Sequence, residues 1–248
     1  DAALAAQIQA DGIDVLVDLS GHTSGNRLPV FGRKPAPVQV TYLGYPATTG
    51  LKAMDYRLVT EASDPEGSER WHSERLYRLP RSLWCYRPAA DTPAVSEAVP
   101  AGKKGYVTFG SLNNLAKLSE AMIRSWSSIL KAVPGAKLAL SNLPEGSARE
   151  YLRGRFAAEG IESERLVLHG KLPQGAYYAL LDEIDIALDP YPYNGTTTTC
   201  QSLWMGIPVV SLIGETSVSR AGYALLKAIE LEELAGRDGE GYRAIAVS

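Results

Sequence analysis

Cysteine is scarce in this 248-residue chain: Cys85 and Cys200 are the only two, and they lie far apart. A disulfide framework has no basis in that count, and two lone thiols fit a reducing compartment, so a cytoplasmic protein is expected. Histidine is thinly spread. His22, His72 and His169 have no Cys, Asp or Glu at ligand-like spacing, which leaves a metal site unsupported. Long apolar runs are missing: no stretch approaches the roughly 18 consecutive apolar residues of a membrane span, and no basic-then-apolar leader opens the chain. No membrane partner is expected. Excess positive charge is missing too, with 25 Lys and Arg against 28 Asp and Glu and a net charge of -3. Nucleic acid is therefore not an expected partner, although a local basic site is allowed. No strand is followed by Gly-x-Gly-x-x-Gly, which argues against a nicotinamide dehydrogenase. There is no internal repeat or low-complexity tract.

What the chain does have is 45% apolar and 21% charged residues, over a length that accommodates one large domain or two small ones. The opening segment, 1–10, reads as helical. Residues 13–19 form a β-branched apolar run that ends in Ser20-Gly21-His22-Thr23, a strand followed by a turn. Further strands are expected at 38–43 and 56–59, with Gly44-Tyr45-Pro46 and Thr48-Thr49-Gly50 as turns. Prolines and alanines without periodicity between 86 and 104 predict a linker. Beyond it strand and helix alternate, with strands at 106–110, 137–141, 166–168, 184–188 and 209–212. The helices fall at 119–133, 148–159, 174–181, 199–205 and 218–229. The first of them carries Ile123, Trp126, Leu130 and Val133 on one face and is stopped by Pro134-Gly135. This alternation predicts an α/β protein with a parallel sheet covered on both faces, because parallel neighbours need crossover connections. A last strand is expected at 244–248. The resulting division is 1–92, a linker at 93–104, and 105–248. A start without methionine and a strand running off the end read as a fragment.

In open parallel α/β sheets, ligands sit beyond the carboxyl ends of the strands. The loop 189–199 follows such a strand and delivers Thr196, Thr197, Thr198 and Thr199 to a helix start. Orphan N–H groups and the helix dipole make that an anion site, with phosphate the natural occupant. The competing reading is a Thr198-x-x-Gln201 capping box with no ligand. A second loop, 109–117, brings Asn114 and Lys117 after another strand. A lysine ammonium beside a diphosphate offsets the charge that grows as a leaving group departs; its alternative is a solvated surface lysine. His22, at a strand end, is a catalytic candidate or a holder of its own turn. His169 reads as a strand cap, and Arg27 and Arg33 read as loop charges.

Taken together, Asn113-Asn114-Leu115-Ala116-Lys117, Tyr193-Asn194-Gly195-Thr196-Thr197-Thr198 and Leu203-Trp204-Met205-Gly206-Ile207-Pro208-Val209-Val210 resemble the O-linked N-acetylglucosamine transferase family, in its bacterial SPINDLY-like branch. Asp18-Leu19-Ser20-Gly21-His22-Thr23, Arg33-Lys34-Pro35-Ala36-Pro37-Val38-Gln39, Leu43-Gly44-Tyr45-Pro46-Ala47-Thr48-Thr49-Gly50 and Gly214-Glu215-Thr216-x-x-Ser219-Arg220 extend the likeness over nearly the whole chain. It implies a GT-B architecture, two Rossmann-like halves across a cleft, the N-terminal one incomplete here. It also implies an inverting, metal-independent and cofactor-free transfer of N-acetylglucosamine from UDP-GlcNAc to Ser or Thr hydroxyls of proteins.

By position, Asn114 matches a family glutamine on the nucleotide, and Lys117 matches the lysine on the diphosphate. Thr196, Thr197 and Thr198 match a phosphate-binding His-Thr-Thr run, with threonine in place of histidine. Gln201 stands where the family often has an acidic residue on the ribose. Leu172, Pro173, Gln174 and Tyr177 match the stretch that cradles the base, with Gln174 replacing a lysine and Leu180 an arginine. The family histidine proposed as general base falls before Asp1, as do the TPR-type helical repeats that select protein acceptors. The fragment alone is expected to bind donor without turnover. Two alternatives stay open: O-fucosyl transfer from GDP-fucose, as reported for plant SPINDLY relatives, and a non-catalytic nucleotide-sugar-binding module.

Overall fold

The computed structural model describes all 248 residues. Two parallel sheets organise the chain, one in each of two compact units. The first unit comprises residues 1–85 with 215–224, and the second 86–214 with 225–248. That 215–224 sorts with the first unit had no signal in the sequence.

The first unit runs α1 (Ala2–Ala10), β1 (Val15–Asp18), α2 (Leu28–Phe31), β2 (Val38–Thr41), β3 (Tyr56–Thr60) and β4 (Arg75–Leu79). Its strands pair in sequence order, all parallel, with Val15 opposite Val38, Val40 opposite Tyr56 and Tyr56 opposite Arg75. Alternation along β2 turns Gln39 and Thr41 into the interior. Buried polar groups cost free energy unless partnered, and these are partnered. The Gln39 amide donates to the carbonyls of Phe31 at 2.9 Å and Ala53 at 2.8 Å, while Thr41 donates to Asp18 at 2.8 Å. The apolar cluster beneath is small: Leu28, Phe31 and Met54.

The second unit contains α3 (Pro100–Lys104), β5 (Thr108–Ser111), α4 (Glu120–Ala132), β6 (Lys137–Leu140), α5 (Ser147–Ala158), β7 (Leu166–Leu168), α6 (Gln174–Leu181), β8 (Ile186–Leu188), α7 (Thr197–Trp204) and β9 (Val209–Leu212). After α8 (Ala221–Ala228), which spans the change of unit, come β10 (Ala235–Gly236) and α9 (Gly239–Val247). The sheet order is β10-β9-β8-β5-β6-β7, parallel throughout. From β5 the chain winds outward through β6 to β7, then returns to β8 on the other side of β5. Winding direction therefore reverses between β5 and β8, and in such sheets the ligand crevice opens at the carboxyl ends of the two strands that flank the reversal.

Helix α4 buries Met122, Ile123, Trp126, Ile129 and Leu130 along one face, against Leu138, Leu152, Phe156 and Tyr242. Each such aliphatic side chain contributes about 1.5–3 kcal/mol by leaving water. Ser119 caps the helix by accepting from the Met122 N–H at 3.3 Å.

Two expectations need correction. Residues 244–247 continue α9 and form no strand, because Tyr242 and Ala246, four apart, bury one helical face and Asp238 caps the start by accepting from the Gly241 N–H at 2.7 Å. Pro100–Lys104, inside the segment expected as a linker, is a helical turn of the second unit, held where Asp185 accepts from the Ala101 N–H at 2.7 Å.

Candidate functional site

The loops that leave β5 and β8 meet at the reversal point. After β5 the chain makes a short 3-10 turn, Leu115–Lys117, which Asn114 caps by accepting from the Ala116 N–H at 2.9 Å. That turn aims Lys117 inward. Its ammonium donates to the Asn194 carbonyl at 2.8 Å and lies 4.2 Å from the centre of the Tyr193 ring. Burial pulls the Lys117 pKa below its ordinary value, and the nearby Asp189 carboxylate opposes that pull.

Asn113 is the meeting point of the two loops. Its Oδ1 accepts from the Thr198 hydroxyl at 3.1 Å and from Lys117 Nζ at 3.4 Å. Thr198 is therefore turned toward Asn113 and does not cap α7. Thr196 occupies the N-cap position, and no side chain caps this helix. The capping-box alternative fails for the same reason: Gln201 reaches the Tyr177 hydroxyl instead. Thr197 is exposed, Thr196 and Thr198 are half-buried, and the first-turn N–H groups are left without a side-chain acceptor.

Beneath the loop lies Asp189, 2% exposed. Its Oδ1 accepts from the Gly195 N–H at 2.6 Å and its Oδ2 from the Ser211 hydroxyl at 2.7 Å. Burial raises its carboxyl to about 7, against the lowering effects of those two hydrogen bonds and of Lys117. Gly195 is required here by space: a Cβ would come within 2.6 Å of the Thr198 and Thr199 hydroxyl oxygens and 3.2 Å of the Asp189 carboxylate. Asn194, fully buried, fixes the approach by donating to the Pro190 carbonyl at 2.9 Å. Sequence reasoning assigned no role to Asn113 or Asp189.

On the opposite flank, Pro173 starts α6 and accepts from the Tyr177 N–H at 2.9 Å, while Leu172 packs on the apolar cluster below. Tyr177 donates its hydroxyl to Gln201 Oε1 at 2.8 Å, and burial raises its phenol above the ordinary value. Gln174 is exposed and donates to Asp91 at 2.8 Å. The structure thus joins Lys117 with Thr198, and Tyr177 with Gln201, while Asn114 is spent on a turn. His22 belongs to the first unit, where its Nε2 lies 3.1 Å from the Thr48 carbonyl and its ring meets Tyr45 edge-on. A carbonyl only accepts, so the Nε2 carries the proton and a neutral ring keeps its lone pair on Nδ1. No group of three or more His, Cys, Asp and Glu side chains is arranged to hold a metal, and no helix is long and apolar enough to cross a membrane.

A parallel sheet in each unit, and in the second an anion-type loop at the winding reversal, define an α/β protein of GT-B type. The chain belongs to glycosyl transferase family 41, whose profile matches residues 1–88 and 99–248. It is 40% identical over 251 residues to a Petunia hybrida protein named probable UDP-N-acetylglucosamine--peptide N-acetylglucosaminyltransferase SPINDLY, an alignment covering 98% of this chain and 26% of the relative. The protein of the same name from Solanum lycopersicum is 40% identical over 246 residues, covering 96% of this chain and 26% of its own. The chain thus spans about a quarter of the length of these relatives. A mutant of the O-GlcNAc transferase of Thermobaculum terrenum superposes with a TM-score of 0.94 at 39% identity, over 99% of this chain and 47% of its own.

Proposed function

We propose that this chain is the donor-binding part of a cytoplasmic enzyme that transfers N-acetylglucosamine from UDP-GlcNAc to Ser or Thr hydroxyls of proteins. The transfer inverts the anomeric centre and uses no metal or other cofactor. The observation that carries the reading is the convergence of Lys117 and Thr198 on Asn113, at the winding reversal of a family 41 chain. The names of the relatives support the same donor and acceptor classes.

In this reaction the acceptor oxygen forms a bond to the anomeric carbon as the bond to the β-phosphate oxygen breaks. Negative charge gathers on the departing diphosphate. Lys117 and the uncapped N–H groups at the start of α7 meet that charge, and each such preorganised donor accounts for about 100- to 1000-fold in rate. Gln201 and Tyr177 take the ribose and base side, with Leu172, Pro173 and Gln174 around the base, and Thr196 and Thr197 join Thr198 on the phosphates. Asn114 contributes at the nucleotide by shaping the turn that carries Lys117. His22 is the proton-handling candidate of the first unit, alongside a general base and helical repeats supplied by the rest of the protein.

The test is transfer of labelled sugar by the full-length protein to a Ser/Thr peptide library. Label incorporation that disappears in Lys117→Ala is expected. Donor binding without transfer to any peptide would instead favour the non-catalytic module. GDP-fucose is the second reading, favoured because Gln174 and Gln201 stand where the family has a lysine and often an acidic residue, and here they pair with Asp91 and Tyr177. Tighter binding of GDP than UDP would select it.

A further inference from the structure

Lys117 and Asp189 hold the two ends of one peptide group. The Asn194–Gly195 carbonyl accepts from the Lys117 ammonium at 2.8 Å, and the N–H of the same group donates to the Asp189 carboxylate at 2.6 Å. Asp189 is buried at the root of the loop and makes no ion pair of its own at contact distance. The titratable groups that face it are few. Lys117 comes from the loop after β5, and Tyr242 comes from α9, its hydroxyl donating to the Asp189 carbonyl at 3.2 Å. Strand β9 contributes the Ser211 hydroxyl, and α7 contributes the hydroxyls of Thr198, Thr199 and Ser202 to the cavity of about 10 Å³ that Asp189 also lines. Lys117 is the sole cation among them.

We propose that Asp189 is a positioning residue whose carboxylate takes up a proton from solvent when the donor diphosphate binds. The inference rests on the reading of this loop pair as a diphosphate site. In the free chain the lysine charge favours the ionised carboxylate. A bound diphosphate draws that charge to itself and adds negative charge nearby, and both changes favour the neutral acid. Burial already holds the carboxyl at about 7, so the step falls in the neutral range. Ser211 makes protonation compatible with the loop. The new acid O–H donates to the Ser211 oxygen, reversing one hydrogen bond, while the other oxygen continues to accept from Gly195. Asp189→Asn reproduces that neutral arrangement, its amide donating to Ser211 and its carbonyl accepting from Gly195.

The experiment is calorimetric titration of the chain with UDP-GlcNAc, and separately with GDP-fucose, near neutral pH in two buffers of different ionisation enthalpy. The diphosphate of a nucleotide sugar is esterified at both ends and does not titrate there, so buffer-dependent heat reports the protein. Wild type is expected to take up a fraction of a proton and to bind several-fold more weakly at about pH 8 than at about pH 6. Asp189→Asn is expected to bind with no uptake and a flat pH profile. Binding by wild type without buffer-dependent heat overturns the inference and leaves the donor-site reading standing, and equal uptake in Asp189→Asn does the same. Failure of both nucleotide sugars to bind overturns the reading and the inference together. The wild-type measurement alone decides the matter if the variant does not fold.

Discussion

The Tyr177 hydroxyl donates to Gln201 Oε1 at 2.8 Å, tying the helix before β8 to the helix after it. If, as proposed, both residues face the nucleoside, this bond sets how the ribose side is presented. Because Oε1 is engaged by the phenol, Gln201 offers a ribose its N–H₂ donors. A carboxylate at 201 would instead offer a charged acceptor, and hydrogen bonds to charged groups are worth about 1.5–3 kcal/mol against about 0.5–1.5 for neutral ones. Gln201→Glu, the isosteric change, is therefore expected to tighten UDP binding by roughly 1 kcal/mol, about fivefold, read by calorimetry. Unchanged or weaker binding would remove position 201 from the ribose.

Gly195→Ala is expected to impair donor binding more than folding. The added methyl meets the Thr198 and Thr199 hydroxyls at 2.6 Å and has to push the loop away from Asp189. Overpacking of this kind costs about 1–3 kcal/mol in stability, but a displacement of the threonines would shift every proposed phosphate contact at once. Comparison of UDP affinity with urea midpoint separates the two effects, and an affinity equal to wild type would refute the close approach.

Tyr242→Phe tests the support beneath the site. Trp126 Nε1 donates to the Tyr242 hydroxyl at 2.9 Å, and that hydroxyl donates on to the Asp189 carbonyl at 3.2 Å, all within the core. Removing one oxygen strands a buried N–H and a buried C=O, each worth about 1–3 kcal/mol when unsatisfied. Urea unfolding is expected to show a loss of at least about 1 kcal/mol by the same reasoning; no loss would mean the relay carries no stability.

The stability profile carries the signature of Asp189. Its folded pKa, about 7, lies above the ordinary 3.8 of the unfolded chain, so the folded state holds the proton more tightly. The contribution of this group is fully present below the unfolded value and is lost as pH rises through about 7. Asp189→Asn removes that dependence. The variant is therefore expected to gain in Tm relative to wild type between about pH 5 and about pH 8, measured by thermal unfolding of both proteins across that range. A constant difference would show that Asp189 is ionised throughout.

Much of this was readable in the residues. The alternation from 106 to 212 gave the second sheet nearly strand for strand, because parallel strands buried on both faces read as short apolar runs between helical patterns. Strand β4 escaped because Arg75 and Arg78 interrupt its apolar pattern. At the end of the chain, Ala244-Ile245-Ala246-Val247 is too short for its period to separate strand from helix; the deciding signal was the cap at Asp238, several residues earlier. In the site, Lys117 and the threonines stood out by residue type and by position after a strand. Asn113 and Asp189 did not. An asparagine or aspartate at a strand end is ordinary, and only the pairing of β5 with β8 brings these two loops together.

In the proposed function, Lys117 and the loop 194–198 hold a nucleotide diphosphate. Titration of wild type and Lys117→Ala with UDP, with thermal unfolding as the control for folding, tests it most directly. One charge-assisted hydrogen bond lost at a desolvated site is worth about 1.5–3 kcal/mol, a roughly 10- to 150-fold weaker affinity. Loss of the Lys117 hydrogen bond to the buried Asn194 carbonyl lowers Tm as well, so the titration is run where both proteins are fully folded. Equal affinity in the two proteins would contradict the claim.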